Sequence, residues 1–362
     1  MEPAINAGSV YEENLPNPDM TSDRHRQGKP MDFNLSSFTP SQPAATQNAK
    51  VLILGSGPAG LSAALYTARA NLNPVLLTGL EFGGQVSLTH IVENYPGFPE
   101  GIGGQELAEL FKKQAERFGA RVEYDTATAV DLSTRPFRVQ TYNTIYLAET
   151  LIITTGATPR HLEIPGETEL TGRGVSYCAT CDGWFFREKS VVVIGGGDSA
   201  LEEGLFLTRY ASQVNVVHRR DELRAGAVLQ DRARANPKMS FTWNTLPTEI
   251  IGKEKVEAIR LKDKITGQTW DKPVDGVFIF IGHTPNTQLF AGQLEMDEQG
   301  YLVTDQYMRT SIPGVFAAGE VADPHFRQVI TSAGMGAAAG IQATRYLEEH
   351  ESAETIQSTP GA

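Results

Sequence analysis

The chain has 362 residues, enough for two domains of ordinary size with some to spare. Its 43 acidic and 31 basic residues give a net charge of -12, which excludes a general binder of nucleic acid or anionic membrane, since either needs a basic field. No apolar stretch reaches the roughly 18 residues of a membrane span, and two cysteines are too few for a secreted disulfide scaffold.

Residues 1–47 are polar, mixed in charge and without apolar period, which predicts a disordered tail. They hold no signal-like apolar core, and their acids outnumber their bases, against an organelle transit peptide. The short apolar run Val51–Leu54 then reads as a strand. Gly55-Ser56-Gly57-Pro58-Ala59-Gly60 follows, then an apolar-periodic helix over Leu61–Ala70 and a strand at Pro74–Leu77. Leu151–Ile153 is a further strand, running on to Gly156-Ala157-Thr158-Pro159. The plan then repeats. Val191–Ile194 leads into Gly195-Gly196-Gly197-Asp198-Ser199-Ala200, a helix at Leu201–Arg209 and a strand at Val214–Val217. Val277–Ile281 ends in Gly282-His283-Thr284-Pro285, an echo of the earlier Gly-x-Thr-Pro. The fold expected is α/β, with two Rossmann-like dinucleotide-binding domains. The second is inserted into the first if Thr310–Ala343 returns to the first domain. Residues 351–362 read as a second tail.

Each glycine turn sits after a strand and opens a helix, where phosphate binding needs it. The first glycine permits the tight turn. The second lets backbone approach a pyrophosphate, and the third position lets helix and strand pack closely. The helix N-terminus then faces the phosphates with free N–H groups. Gly55, Gly57, Pro58, Ala59 and Gly60 are therefore predicted to cradle one dinucleotide, and Gly195, Gly197, Asp198, Ser199 and Ala200 a second. The second copy's strand ends in His218-Arg219-Arg220, with Arg224 close behind and no acid at the strand end. Guanidinium groups suit a ribose 2′-phosphate, so this pattern predicts NADPH over NADH. The first copy ends in Thr78-Gly79 and leaves its ligand open.

Both cysteines lie in Cys178-Ala179-Thr180-Cys181. Zinc needs four ligands, and the nearest histidine, His161, is well upstream, so no metal is expected. A reversible dithiol in a reducing compartment is the functional reading, and two unpaired structural thiols the bland one. Asp182 follows directly. A partly buried carboxyl could hold a proton there as general acid or base, or simply cap a helix. Two dinucleotide units and one C-x-x-C define an electron path from nicotinamide through an intermediate carrier to a disulfide, and flavin is the natural carrier.

In these motifs, and in Gly83-Gly84-Gln85, Val92-Glu93-Asn94-Tyr95-Pro96-Gly97 and Arg327-Gln328-Val329-Ile330-Thr331-Ser332-Ala333-Gly334, the chain resembles the low-molecular-weight NADPH-dependent thioredoxin reductases from about Lys50 to about Glu349. The resemblance implies a discontinuous FAD domain, 48–160 and 290–350, around an NADPH domain, 161–289, that carries the disulfide. It places Thr78, Gly83, Gly84, Gln85, Asn94, Thr155 and Gly156 at FAD. Gly319, Glu320, Arg327, Gln328, Val329 and Ile330 join them there. By the same resemblance Cys181 faces the flavin, Cys178 attacks the disulfide of thioredoxin, and Asp182 protonates the leaving thiolate. Trp184 and Phe185 match aromatic positions used against thioredoxin, with core packing as the alternative. A homodimer in the cytoplasm is implied, with no nucleic-acid or membrane partner.

One flavin face cannot meet nicotinamide and disulfide together, so the inserted domain is expected to rotate on hinges near Gly156–Arg160 and Gly282–Thr287. One position departs from the pattern: Glu320 stands where the family has aspartate against the ribityl chain. Two rival readings keep the flavin. One is a disulfide reductase with another donor, such as ferredoxin, or another acceptor. The other is a flavin-binding protein without turnover. The intact basic motif argues against the first, and the intact C-x-x-C-Asp against the second.

Overall fold

The computed structural model describes residues 45–89 and 91–358. The chain path is nested. It opens with β1 (Ala45–Leu54), α1 (Pro58–Arg69) and β2 (Val75–Leu77). Helix α2 (Gly104–Arg117) and β3 (Arg121–Glu123) follow. An antiparallel meander of β4 (Ala127–Asp131), β5 (Phe137–Thr141) and β6 (Thr144–Ile153) completes the outward path. The order across this sheet is β3-β2-β1-β6-β5-β4, with β1 parallel to both β2 and β6. Val51, Leu52, Ile53 and Leu54 are at most 2% exposed. Both faces of β1 are covered here, which is why its sequence is an unbroken apolar run rather than an alternation.

The chain then leaves through β7 (Ala157–Pro159) and builds a second sheet. Its elements are β8 (Val175–Ser176), the one-turn helix α3 (Ala179–Asp182), β9 (Ser190–Gly195) and α4 (Asp198–Leu207). Next come β10 (Gln213–Val217), α5 (Ala227–Ala235) and β11 (Met239–Thr242). A three-stranded antiparallel layer, β12 (Thr245–Gly252), β13 (Val256–Asp263) and β14 (Thr269–Pro273), precedes β15 (Gly276–Phe280). The order is β11-β10-β9-β15-β8, parallel throughout. Strand β16 (His283–Pro285) leads back beside β7. Finally β17 (Val315–Ala317) pairs in parallel with the second half of β6, and α6 (Val329–Ser358) packs on α1. The late segment thus returns to the first sheet, and the second sheet is an insertion.

The expected tails shift at their inner ends. Residues 45–47 are not tail but the start of β1, paired with Thr144, Ile145 and Tyr146. Helix α6 continues past residue 351 to Ser358. The remaining tail residues, 1–44 and 359–362, lie outside the described residues. Among the described residues no helix is long and apolar enough to cross a membrane, and no group of side chains is arranged to hold a metal ion.

Candidate active site

The two glycine turns share one construction. A Cβ on Gly55 would sit 2.3 Å from the Thr154 carbonyl oxygen, and one on Gly195 would sit 2.5 Å from that of Phe280. Both glycines therefore press a turn against the end of the neighbouring parallel strand. A Cβ on Gly57 or Gly197, by contrast, meets nothing nearer than 3.9 Å. Each of these faces open space at the start of its helix, where backbone N–H groups are unpaired. A Cβ at Gly60 would lie 1.9 Å from the Gly55 oxygen, so that position is pure close packing. Its counterpart Ala200 is fully buried and tolerates its methyl.

Ser56 ties the first turn to the loop after β2. Its hydroxyl donates to the Thr78 carbonyl (3.0 Å) and accepts from the Gly83 N–H (3.1 Å). The second turn is braced otherwise. The His218 ring packs over Gly196, where a Cβ would be 2.3 Å away, and Nδ1 pairs with the Gly195 oxygen at 2.9 Å. His218 is 5% exposed, and burial holds it below the usual imidazole pKa. Of the basic cluster expected at the strand end, Arg219, Arg220 and Arg224 are exposed and His218 is built into the wall. Asp198 accepts the Gly226 N–H (2.7 Å), which holds the Arg224-Ala225-Gly226 loop across the turn.

Cys178 and Cys181 form a disulfide on α3. Three amides of this turn have partners placed as follows. The Cys181 N–H donates to Cys178 Sγ (3.2 Å), and the Asp182 N–H to the Cys178 oxygen (3.2 Å). The Ala179 N–H donates to Glu203 Oε2 (3.0 Å), a carboxylate from α4. Burial pushes the Glu203 carboxyl up, against the pull of the Ala179 and Thr180 amides. Burial also pushes Asp182 up, while Ser176 pulls it down. Asp182 makes no helix-capping hydrogen bond.

The segment before α6 meets both halves of the molecule. Gln328 Nε2 donates to Thr180 Oγ1 (3.1 Å), and Gln328 Oε1 accepts from Asn94 Nδ2 (3.2 Å). Arg327 Nη1 lies 2.9 Å from His283 Nδ1. Burial, reinforced by Arg327 and Arg160, drives His283 down to about 4, so it is neutral and accepts. Asp323 shapes this loop by accepting the N–H groups of His325, Phe326 and Arg327. Glu320 is pushed up to about 7 by burial, with Arg327 opposing and Asp323 adding to the rise. The two expected hinges turn out to be one ribbon: β7 and β16 pair antiparallel, and Asn286 and Thr155 exchange side-chain bonds (2.7 and 2.8 Å) at its end.

A cavity of about 2450 Å³ joins these parts. Gly55, Gly57, Pro58 and Ala59 line it, as do Thr78, Gly84, Gln85 and Asn94. Thr155, Gly156, Gly319 and Glu320 line it further along, with Arg327, Gln328 and Val329. Cys178, Cys181, Asp182, Asp198 and Ser199 face the same space. Gly60, Gly83 and Ile330 do not, nor do Gly195, Gly197, Ala200, His218, Arg219, Arg220 and Arg224. The first turn and the disulfide therefore share one chamber, while the arginines lie outside it.

Residues 49–336 match the pyridine nucleotide-disulphide oxidoreductase family. A thioredoxin reductase of Mycolicibacterium smegmatis is 49% identical over 302 residues, 83% of this chain and 97% of that one. The chain belongs to the thioredoxin reductase family. The thioredoxin reductase of Streptococcus pyogenes superposes with a TM-score of 0.80 at 45% identity, over 83% of this chain and 99% of that one. That of Lactococcus lactis in its FR conformation, 42% identical over the same shares, reaches only 0.57.

Thioredoxin reductases use FAD and NADPH with a redox disulfide, and the cradles here fit both dinucleotides. Gly57 and Gly197 leave the gap over a helix N-terminus that a pyrophosphate fills, and a side chain at either would close it. Arg327 Nε is buried beside the chamber with no partner among the described residues. Motif reading missed the contact that Glu203 makes with the disulfide turn, and although it placed His283 and Asn286 in a strand exit it missed their bonds to Arg327 and Thr155, because each partner comes from a distant element.

Proposed function

We propose that this chain is an NADPH:thioredoxin-disulfide oxidoreductase whose Cys178–Cys181 pair is the last carrier before thioredoxin. The carrying observation is the disulfide standing in one chamber with the first glycine turn, with the Asn94–Gln328–Thr180 bonds holding its helix there. Bound FAD would supply the disulfide with the electron pair that NADPH delivers. Cys181 receives that pair as the S–S bond opens, and Cys178 becomes the attacking thiolate. Cys178 displaces one sulfur of the thioredoxin disulfide, and Asp182, whose carboxyl burial pushes up, gives a proton to the departing thiolate. Cys181 then attacks Cys178, which closes the internal disulfide and frees reduced thioredoxin.

Thioredoxin is the acceptor that the relatives' name supports. Trp184 and Phe185, 51% and 40% exposed, offer it an aromatic surface, whereas Phe186 is buried against Phe278. The arginines at 219, 220 and 224 are assigned to the 2′-phosphate of NADPH. The first sheet, with 48–160 and 290–350, is assigned to FAD, and 161–289 to NADPH.

Arg219–Arg224 lie outside the chamber that holds the disulfide, which supports rotation of the inserted part about the β7–β16 ribbon. The low TM-score against the Lactococcus lactis relative, at like identity and coverage, supports a second arrangement of the same parts. A dithiol that must cycle suits the reducing cytoplasm, and a net charge of -12 goes with a partner that is not nucleic acid. The family resemblance supports a homodimer, which sedimentation of the purified protein would test.

Stopped-flow bleaching of the flavin by NADPH, with and without thioredoxin, tests the main reading. Rapid bleaching and reoxidation by thioredoxin are expected. Flavin that bleaches but passes nothing to any disulfide would reject it, as would reduction by ferredoxin alone.

A further inference from the structure

Glu203 is a half-buried carboxylate on α4, about one turn past the glycine motif that opens that helix, and its Oε2 reaches across to the Ala179 N–H of α3. Three N–H groups, of Ala179, Thr180 and Cys181, are left without intrahelical carbonyl partners where α3 begins. Cys178 Sγ takes the third, at 3.2 Å. Glu203 takes the first, at 3.0 Å, and draws on the second. A carboxylate and a cysteine sulfur thus divide one set of donors.

That division has a sign. Reduction breaks the Cys178–Cys181 bond, takes up two electrons and two protons at most, and leaves negative charge on sulfur to the extent that a thiolate persists. Amide donors and nearby cations stabilise that thiolate; a neighbouring carboxylate opposes it and occupies donors that would otherwise turn toward it. The oxidised pair carries no charge for Glu203 to oppose. We propose that Glu203 is a positioning residue that holds the Cys-Ala-Thr-Cys turn on α4 and, through its charge, keeps the pair strongly reducing. The same contact links the disulfide to the helix whose first residues face the second dinucleotide.

The inference rests on the pair being redox-active, and the test separates the two claims. Flavin-loaded wild type, Glu203→Gln and Glu203→Ala are equilibrated at pH 8 in graded dithiothreitol buffers, the dithiol closing to its cyclic disulfide as it gives up two electrons. Free cysteines are then counted by alkylation and mass. Glutamine keeps an acceptor for the Ala179 N–H but drops the charge. Its equilibrium should shift toward the reduced pair by about tenfold, which is about 30 mV more oxidising for a two-electron couple. Cys178 in the reduced variant should also react faster with iodoacetamide at pH 7, as a thiol of lower pKa does. Alanine should shift both in the same direction. Equal equilibria and equal alkylation rates in all three proteins overturn the role of Glu203, as would a shift toward the oxidised pair. A wild-type disulfide that no dithiothreitol ratio reduces overturns the redox reading itself. Far-ultraviolet circular dichroism and flavin content, unchanged in Glu203→Gln, show that folding is not what moved.

Discussion

The two glycine turns have the same backbone plan and opposite surroundings. At Gly55–Gly60 the turn opens into the cavity that Asn94, Gln328 and the disulfide helix also line. At Gly195–Ala200 the turn is braced by a buried histidine, and the arginines beyond it stand in solvent. A ligand wrapped by its site leaves slowly, and a ligand held at a charged, open edge exchanges. The difference teaches that one glycine-turn plan occurs twice, while the loops around each copy set how open its surroundings are.

Cys178→Ser should have the largest effect, because it separates the halves chemically. Flavin reduction by NADPH should persist while thioredoxin reduction falls by about a thousandfold or more; normal turnover in a coupled assay would remove the role given to Cys178. Next in size is Gly60→Ala. A methyl 1.9 Å from the Gly55 oxygen cannot be accommodated without moving backbone. A loss of about 3 kcal/mol or more and poor flavin retention are expected. The mirror change Ala200→Gly should cost only about 1 kcal/mol. Equal losses in urea denaturation would show that the third positions are not different after all.

Arg219→Ala with Arg220→Ala should weaken NADPH by about 1–3 kcal/mol for each charged bond lost and leave NADH almost unchanged. If titration shows both cofactors weakened alike, the arginines do not read the 2′-phosphate. The smallest effect concerns Glu320 in the flavin-free protein. Its folded pKa of about 7 lies above the usual 4.5, so the folded state binds more protons between those values. Stability therefore falls as pH rises through that window, by roughly 2–3 kcal/mol, and Glu320→Gln should flatten the slope. A variant that keeps the wild-type slope between pH 5 and 7.5 would place the proton elsewhere.

Much of this was legible in the chain. Unbroken apolar runs at Val51–Leu54 and Val191–Ile194, each bounded by a glycine turn, read as strands covered on both faces, and a glycine turn between such a strand and a helix has one common use. The C-x-x-C pair and its aspartate were equally plain, since adjacency in sequence guarantees adjacency in space. Boundaries were less so. Ala45–Gln47 read as tail because they are polar, yet they pair with β6 through backbone groups that composition does not report.

Sequence by itself determined the repeated glycine turn, the cysteine pair and the basic strand end, because each is written in contiguous residues whose local conformation their own side chains dictate; that the late segment returns to the first sheet was decided by the pairing of β17 with β6. Tertiary structure alone decided that His218 is buried against the second glycine turn and that β7 and β16 form one ribbon. It also decided that Glu203 shares the amides of the disulfide turn. Those facts depend on which distant groups are packed together out of water. There, a hydrogen bond must be found for every buried donor, and a carboxylate's charge is no longer screened.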